Sequence, residues 1–354
     1  MLKLAFRAAV AVAAGFLVAG LLAGYPPARA LPAAPAPAGP FAARTVAARP
    51  AASRLLADRP AAAHLLAARS AVGRLLAAGS AATTGPTRIR AWGAELMNAS
   101  TGVRLWSRNR SKPRPMGSIT KVMTALVVIR AGHLSRQIKV TRAIPAYIRR
   151  HPDASSAGLR AGDVLTARQI VEAMLLPSGC DAALALAKTY GPGRRAFVRR
   201  MNATARRLGM LNTHFSNFDG MPLPTDHSTY STPADLITLG RAAMQLTPFR
   251  RIVHQRSHGL APTAHHHGYW WKNTNLLLRS YPGALGIKTG STDAAGYCLL
   301  FEAAAPDGTT LIGVVLHSSG TDPMTRFRAA TRLLNWGFGT SVAPPMRPAL
   351  PLSD

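Results

Sequence analysis

The alternation of apolar and polar positions changes period several times along this chain, and each change marks an element. Residues 88–109, RIRAWGAELMNASTGVRLWSRN, read as two strands around the polar turn ASTG. From Ser118, SITKVMTALVVIRAG reads as a helix opened by a serine and closed by Gly132. Residues 167–176 make another helical run that stops at Pro177, and DAALALAKTYG begins the next, which leaves Ser178 on a bend between helices. A further helix around RRAFVRRMNATARRLG ends at Gly209. Near the end, GYCLLFEAAA and LIGVVLHSS flank the turn PDGTT as a hairpin of mainly apolar strands, and TRFRAATRLLNWGF is an amphipathic helix. Strands at both ends enclosing a long helical middle predict a sheet layered with helices, plus a helical insertion.

The N-terminal pattern is of another kind. MLKLAFR supplies a positive start, AAVAVAAGFLVAGLLA an apolar run, and ARA at 28–30 a small-x-small cleavage signal, so residues 1–30 read as an export signal, removed or kept as an anchor. Residues 31–86 are rich in Ala, Pro and Arg and read as a linker, in which RLLA, HLLA and RLLA recur every ten residues. The folded domain is expected over 87–340, and the Pro-rich residues 341–354 as a disordered tail.

Charge sharpens this picture. The chain has 43 Lys and Arg against 14 Asp and Glu, a net charge of +29. The first 86 residues hold nine of the basic residues and only Asp58 among the acids, which leaves about +21 on the part expected to fold. Such an excess favours an anionic partner, and export turns the choice from nucleic acid toward a cell-wall or membrane face. Two cysteines, Cys180 and Cys298, permit one disulfide in an exported chain without demanding it. HHH at 265–267, read as a strand, would alternate faces and hold no metal; no HExxH or second Cys/His cluster supports one, and neither metal nor cofactor is expected.

Three short stretches can carry chemistry. In SITK (118–121), positions i and i+3 of a helix share a face, which brings the Lys121 amine to the Ser118 hydroxyl; a desolvated lysine can take the proton of a serine nucleophile. A plain Ser N-cap followed by a surface lysine would have the same spelling. In PSGCD (177–181), Ser178 lies on a constrained bend and could relay a proton, or could simply cap the following helix. In GIKTGST (286–292), Lys288 and Thr289 between glycines offer a fixed charge and a hydroxyl to a substrate carboxylate where a backbone can come close.

Taken in order, SxxK, SxC in place of SxN, and KTG resemble the signature set of the penicillin-binding and serine β-lactamase superfamily. The chain is most similar to the low-molecular-mass D-alanyl-D-alanine carboxypeptidases, over roughly residues 88 to 340. NTHFSNFDGMP at 212–222, STYSTPADL after it, and WKNTNLLLRSYPGALGIKTGSTDAAGYCL at 271–299 carry the likeness further. The resemblance implies an α/β (α+β) fold of β-lactamase/transpeptidase type, an antiparallel sheet flanked by helices plus a mainly helical subdomain. It implies Ser118 as acylated nucleophile, Lys121 as its base, and Ser178 in proton transfer. Lys288, Thr289, Gly290 and Ser291 would hold the substrate, with the backbone N–H groups of Ser118 and Ser291 as oxyanion hole, and Cys180 would stand where the family usually has an Asn. The implied reaction removes the terminal D-alanine of a peptidoglycan pentapeptide, with β-lactams as inhibitors. Alternatives are an endopeptidase cutting D-Ala-containing cross-links, or a non-catalytic wall binder. The only glutamates are Glu95, Glu172 and Glu302, and none is placed like the deacylating glutamate of a class A β-lactamase, which implies slow release of a bound β-lactam. His214, His227, Asp219 and Asp226 read as turn residues.

Overall fold

The computed structural model describes residues 85–339. The expected export signal, the linker up to residue 84 and the tail from 341 lie outside the described residues.

The described part begins with a hairpin, β1 (Gly93–Asn98) and β2 (Arg104–Arg108), whose turn is organised by Asn98: its side-chain oxygen accepts from the backbone N–H groups of Ser100 (3.1 Å) and Thr101 (2.9 Å). It then enters a helical body: α1 (Thr120–Ala131), β3 (Gln137–Lys139), α2 (Ala143–Arg150), β4 (Val164–Thr166), α3 (Ala167–Leu175), α4 (Cys180–Tyr190), α5 (Arg194–Arg207), α6 (Pro233–Met244) and α7 (Thr247–Val253). The small hairpin β5 (Ser257–Leu260) and β6 (Tyr269–Lys272) and the turn α8 (Leu277–Ser280) lead back through β7 (Ala284–Thr292), β8 (Gly296–Ala304) and β9 (Thr310–Leu316), and α9 (Thr325–Gly337) closes the fold. The main sheet is five-stranded and antiparallel, in the order β2-β1-β9-β8-β7, so β7 is an edge strand.

The strands of the β8–β9 hairpin are apolar without alternation because both faces of the sheet are covered. Leu299, Phe301, Leu311 and Val315 pack against Phe327, Leu333 and Leu334 of α9. Their sequence neighbours Leu300, Ile312, Val314 and Leu316 join the core of the helical body with Leu236 and Leu239 of α6. Each of these side chains, fully buried, stabilises the fold by roughly 1.5–3 kcal/mol, and Phe301→Ala would cost about 3–5 kcal/mol.

At the centre of the helical body, α1 is buried on every side: Thr120 through Ile129 are all out of solvent. A helix apolar all round is an interior helix, which is why its sequence shows no polar stripe. Lys121, in its first turn, is thereby carried inside the protein with no exposed surface. Among the described residues, no helix is long and apolar enough to cross a membrane.

Candidate active site

Ser118 lies within a single 3₁₀ turn, Gly117–Ile119, immediately before α1, and makes no capping bond. The helix is therefore not opened by a serine cap. A capping residue has extended backbone and turns its hydroxyl back on the helix N–H groups; Ser118 is already part of a helical turn, and its hydroxyl meets the side chain three residues on. Lys121 Nζ is 2.8 Å from Ser118 Oγ. The same amine donates to the backbone carbonyl of Asp219 at 2.8 Å and to Cys180 Sγ at 3.3 Å. These three partners hold the buried amine in one position.

The Asp219 carbonyl is itself built into place. Asn217 Oδ1 accepts from the N–H groups of Asp219 (3.3 Å) and Gly220 (2.7 Å), and the Asp219 carboxylate accepts from the Tyr147 hydroxyl at 2.7 Å. Burial, with the Asp219 charge beside it, pushes the Tyr147 phenol well above its usual range, so it stays a donor. The next residue, Gly220, has a positive φ of 85°, and any Cβ there would be driven into the Gly117 carbonyl. Gly290 makes the matching contact from the sheet, where a Cβ would strike the Met116 carbonyl. The Ser118 turn is thus clamped between the 217–221 loop and the edge strand β7 at two positions where only glycine fits.

Asp219 is a working part of this arrangement and not a simple turn residue: it has no exposed surface. Its signal in the sequence was the NFDG stretch, which locates it without assigning it a task. Tyr147 had no sequence signal.

At the bend between α3 and α4, Ser178 has a φ of 70° and is 5% exposed, and its hydroxyl bonds to no described residue. The side chain that touches Lys121 from this bend is Cys180. Burial pushes its thiol up to about 12, against the pull of the Lys121 charge, so it is a neutral thiol. Cys180 and Cys298 are both free and both buried. Asp181, one residue further, accepts from the N–H groups of Ala157 (2.9 Å) and Leu159 (3.1 Å) and so ties the 156–159 loop to the start of α4.

On β7, Lys288 is 1% exposed and makes only weak bonds to its neighbour, 3.2 Å to the Thr289 carbonyl and 3.4 Å to the Thr289 hydroxyl. Burial, then the positive charges of Lys121 and Arg326, hold its amine well below the ordinary lysine range. The Thr289 hydroxyl is 2.7 Å from that of Thr274, whose N–H donates to the Leu176 carbonyl (3.1 Å), so β7 is also tied to the end of α3. Arg326 of α9 reaches the Gly290 carbonyl at 3.4 Å and lies 5.2 Å from the Tyr297 ring centroid. Neither Arg326 nor Thr274 was singled out by sequence.

Ser118, Cys180, Gly220, Ser291 and Tyr297 line one cleft of about 390 Å³; Ser178, Lys288 and Thr289 do not line it. No glutamate lines it either, and Glu172 is engaged by His258 at 3.1 Å. His265 to His267 lie in the loop before β6 and not in a strand: His267 Nδ1 is 2.8 Å from Asp163, in a cluster completed by Tyr269. Among the described residues no group of three or more His, Cys, Asp or Glu could hold a metal ion.

A serine hydroxyl against a buried amine is a geometry that can activate a nucleophile. Residues 80–320 match the family model described as D-alanyl-D-alanine carboxypeptidase. The chain is 42% identical over 272 residues to the D-alanyl-D-alanine carboxypeptidase of Streptomyces sp. (strain K15), covering 73% of this chain and 90% of the relative. It is 31% identical over 246 residues to a D-alanyl-D-alanine endopeptidase of Pseudomonas aeruginosa, 69% of this chain and 76% of that protein. The crystal structure of the Streptomyces K15 DD-transpeptidase superposes with a TM-score of 0.67 at 40% identity, over 72% of this chain and 99% of that one. By sequence and by fold, the chain belongs to the D-alanyl-D-alanine carboxypeptidase family of serine peptidases, with the fold of the penicillin-binding proteins.

Proposed function

We propose that the chain is an exported serine D-Ala-D-Ala carboxypeptidase that works through an acyl-enzyme on Ser118 and is inhibited by β-lactams. The observation that carries this reading is the 2.8 Å contact between Ser118 Oγ and a lysine with no exposed surface, at the wall of an open cleft. Ser118 Oγ attacks the carbonyl of the penultimate D-alanine while its proton passes to Lys121 Nζ. The tetrahedral oxyanion is received by the backbone N–H groups of Ser118 and Ser291, both on the cleft wall. The C–N bond breaks, the departing D-alanine amine takes up the proton, and water releases the shortened peptide from the ester. Lys288 and Thr289 stand behind the cleft surface, so Lys288 acts on the substrate carboxylate by its field. A terminal carboxylate would return Lys288 to its charged form. Ser178 takes part in proton transfer in this reading, with a hydroxyl that bonds to no described residue.

The absence of a glutamate from the cleft supports slow loss of a bound β-lactam. The similarity to a DD-transpeptidase favours a second reading, in which the acyl group passes to an amine as well as to water. The positive N-terminal pattern with its apolar run supports export, and the net charge supports contact with an anionic wall or membrane face.

Mass spectrometry of the protein incubated with a penicillin should show one adduct on the peptide containing Ser118. Ser118→Ala should lose both the adduct and D-alanine release from a pentapeptide. Unchanged release from the Ala variant would refute the nucleophile.

A further inference from the structure

The same cleft has an electrostatic pattern that the reaction does not explain. Three carboxylates, Asp153, Asp226 and Asp293, line it, and no Lys, Arg or His does, in a chain with 43 Lys and Arg. They come from three separate loops: after α2, after the Gly220 clamp, and between β7 and β8. Several other acids among the described residues have partners within the fold. Glu95 pairs with Arg110, Asp163 with His267, Asp322 with Arg328, and Asp235 accepts from Thr213. Asp153, Asp226 and Asp293 are exposed and bond to no described residue. Independently of these acids, the space they surround is already a ligand site, since the Ser118 hydroxyl and the buried thiol of Cys180 open into it.

Behind the inner wall the sign is opposite. Lys121, Lys288 and Arg326 stand together with no carboxylate among their direct contacts. The cleft is therefore asymmetric, with basic groups at the depth where a terminal carboxylate would bind and carboxylates at its mouth. A ligand complementary to both ends carries a carboxylate at one end and a cation farther upstream along the peptide.

Resting on the carboxypeptidase reading above, we infer that Asp153, Asp226 and Asp293 select stem peptides whose residue before D-Ala-D-Ala bears a free cationic side-chain amine. The three act as specificity residues at long range: exposed pairs are individually weak, but three fields of one sign in a cleft add and are sensitive to salt.

The test compares two tripeptides ending in D-Ala-D-Ala that differ only in whether the side-chain amine of the preceding lysine is free or acetylated. At low ionic strength, kcat/KM for D-alanine release should favour the free amine by about tenfold. The ratio should fall toward one in concentrated salt and in the D153N/D226N/D293N triple variant. A ratio of rates from one enzyme preparation does not depend on how much of it is folded. A ratio near one in the native enzyme, or one that survives the triple substitution, overturns the amine preference and leaves the carboxypeptidase reading standing. No D-alanine from either peptide overturns that reading, and the preference with it.

Discussion

Two buried lysines lie at the heart of the site and are treated in opposite ways. Lys121 comes from the first turn of an interior helix and is surrounded by acceptors: a hydroxyl, a thiol and a backbone carbonyl. Lys288 comes from an edge strand and finds little besides its own neighbour Thr289. Its ammonium form is disfavoured by burial and by the other two cations. The first lysine is complete without substrate; the second is left wanting an anion. On the proposed mechanism the difference separates chemistry from recognition: a group that would hand a proton back and forth is held still, and a group that would welcome a charge is left unpaired.

The largest expected effect tests the first half of this contrast. Lys121→Met should lower Ser118 acylation by about 10³-fold or more for every substrate, including a thioester without a free carboxylate, because the proton acceptor is gone. Lys288→Met should lower kcat/KM by about 10²-fold for peptides with a terminal carboxylate and far less for the carboxylate-free thioester. Equal losses on both substrates would erase the division between the lysines. Stopped-flow acylation with the two substrate types measures both.

A third prediction uses the opposite charge on the neighbouring strand. Glu302 of β8 is buried, and desolvation, only partly offset by Arg250, raises its carboxyl to about 7. Its folded state therefore holds a proton more tightly than the unfolded chain, whose value is near 4.5. The favourable contribution is complete below about pH 4.5, declines as pH rises through 7, and is absent above it, a span of about 3 kcal/mol. Denaturant melts of Glu302→Gln and the native protein should diverge over that window, with the variant the less sensitive to pH. The smallest effect belongs to Cys180→Asn. An amide can replace the neutral thiol as a partner of Lys121 and add a donor for the substrate, so D-alanine release should stay within about threefold of the native rate or rise. Complete loss would show that the thiol has a task of its own.

Much of this was legible in the sequence because the site is spelled in local units. SITK is one helical turn, KTG one strand segment, and the β8–β9 hairpin a pair of apolar runs around PDGTT; periodicity places each element, while the chemistry of SITK and KTG came from their order and the family resemblance. The bend at PSGCD was readable too, but which of its side chains faces Lys121 depends on backbone direction, and there Cys180 makes the contact. The least legible features are long-range. Asp219 acts through a backbone carbonyl, which no residue type announces. Tyr147, Thr274 and Arg326 reach the site from α2, from the loop before α8 and from α9, with no motif of their own. The carboxylates at the mouth are single aspartates on three unrelated loops, visible as a group only when the chain is folded. The HHH run shows the converse, since a strand-like reading was defeated by a loop tied down through Asp163.

The contacts at Gly220 and Gly290 also bear on the life of the molecule before it is finished. Three stretches that are distant in the chain, the Ser118 turn, the 217–221 loop and β7, meet with no room to spare. Closing such distant segments belongs late in folding, because the entropy of the intervening chain is lost before the contact returns anything. An emerging or half-unfolded chain therefore has the serine and the lysine but not the enclosure that joins them. On the proposed reading, covalent tagging of Ser118 by an acylating probe should therefore count finished molecules and follow the maturation of the protein.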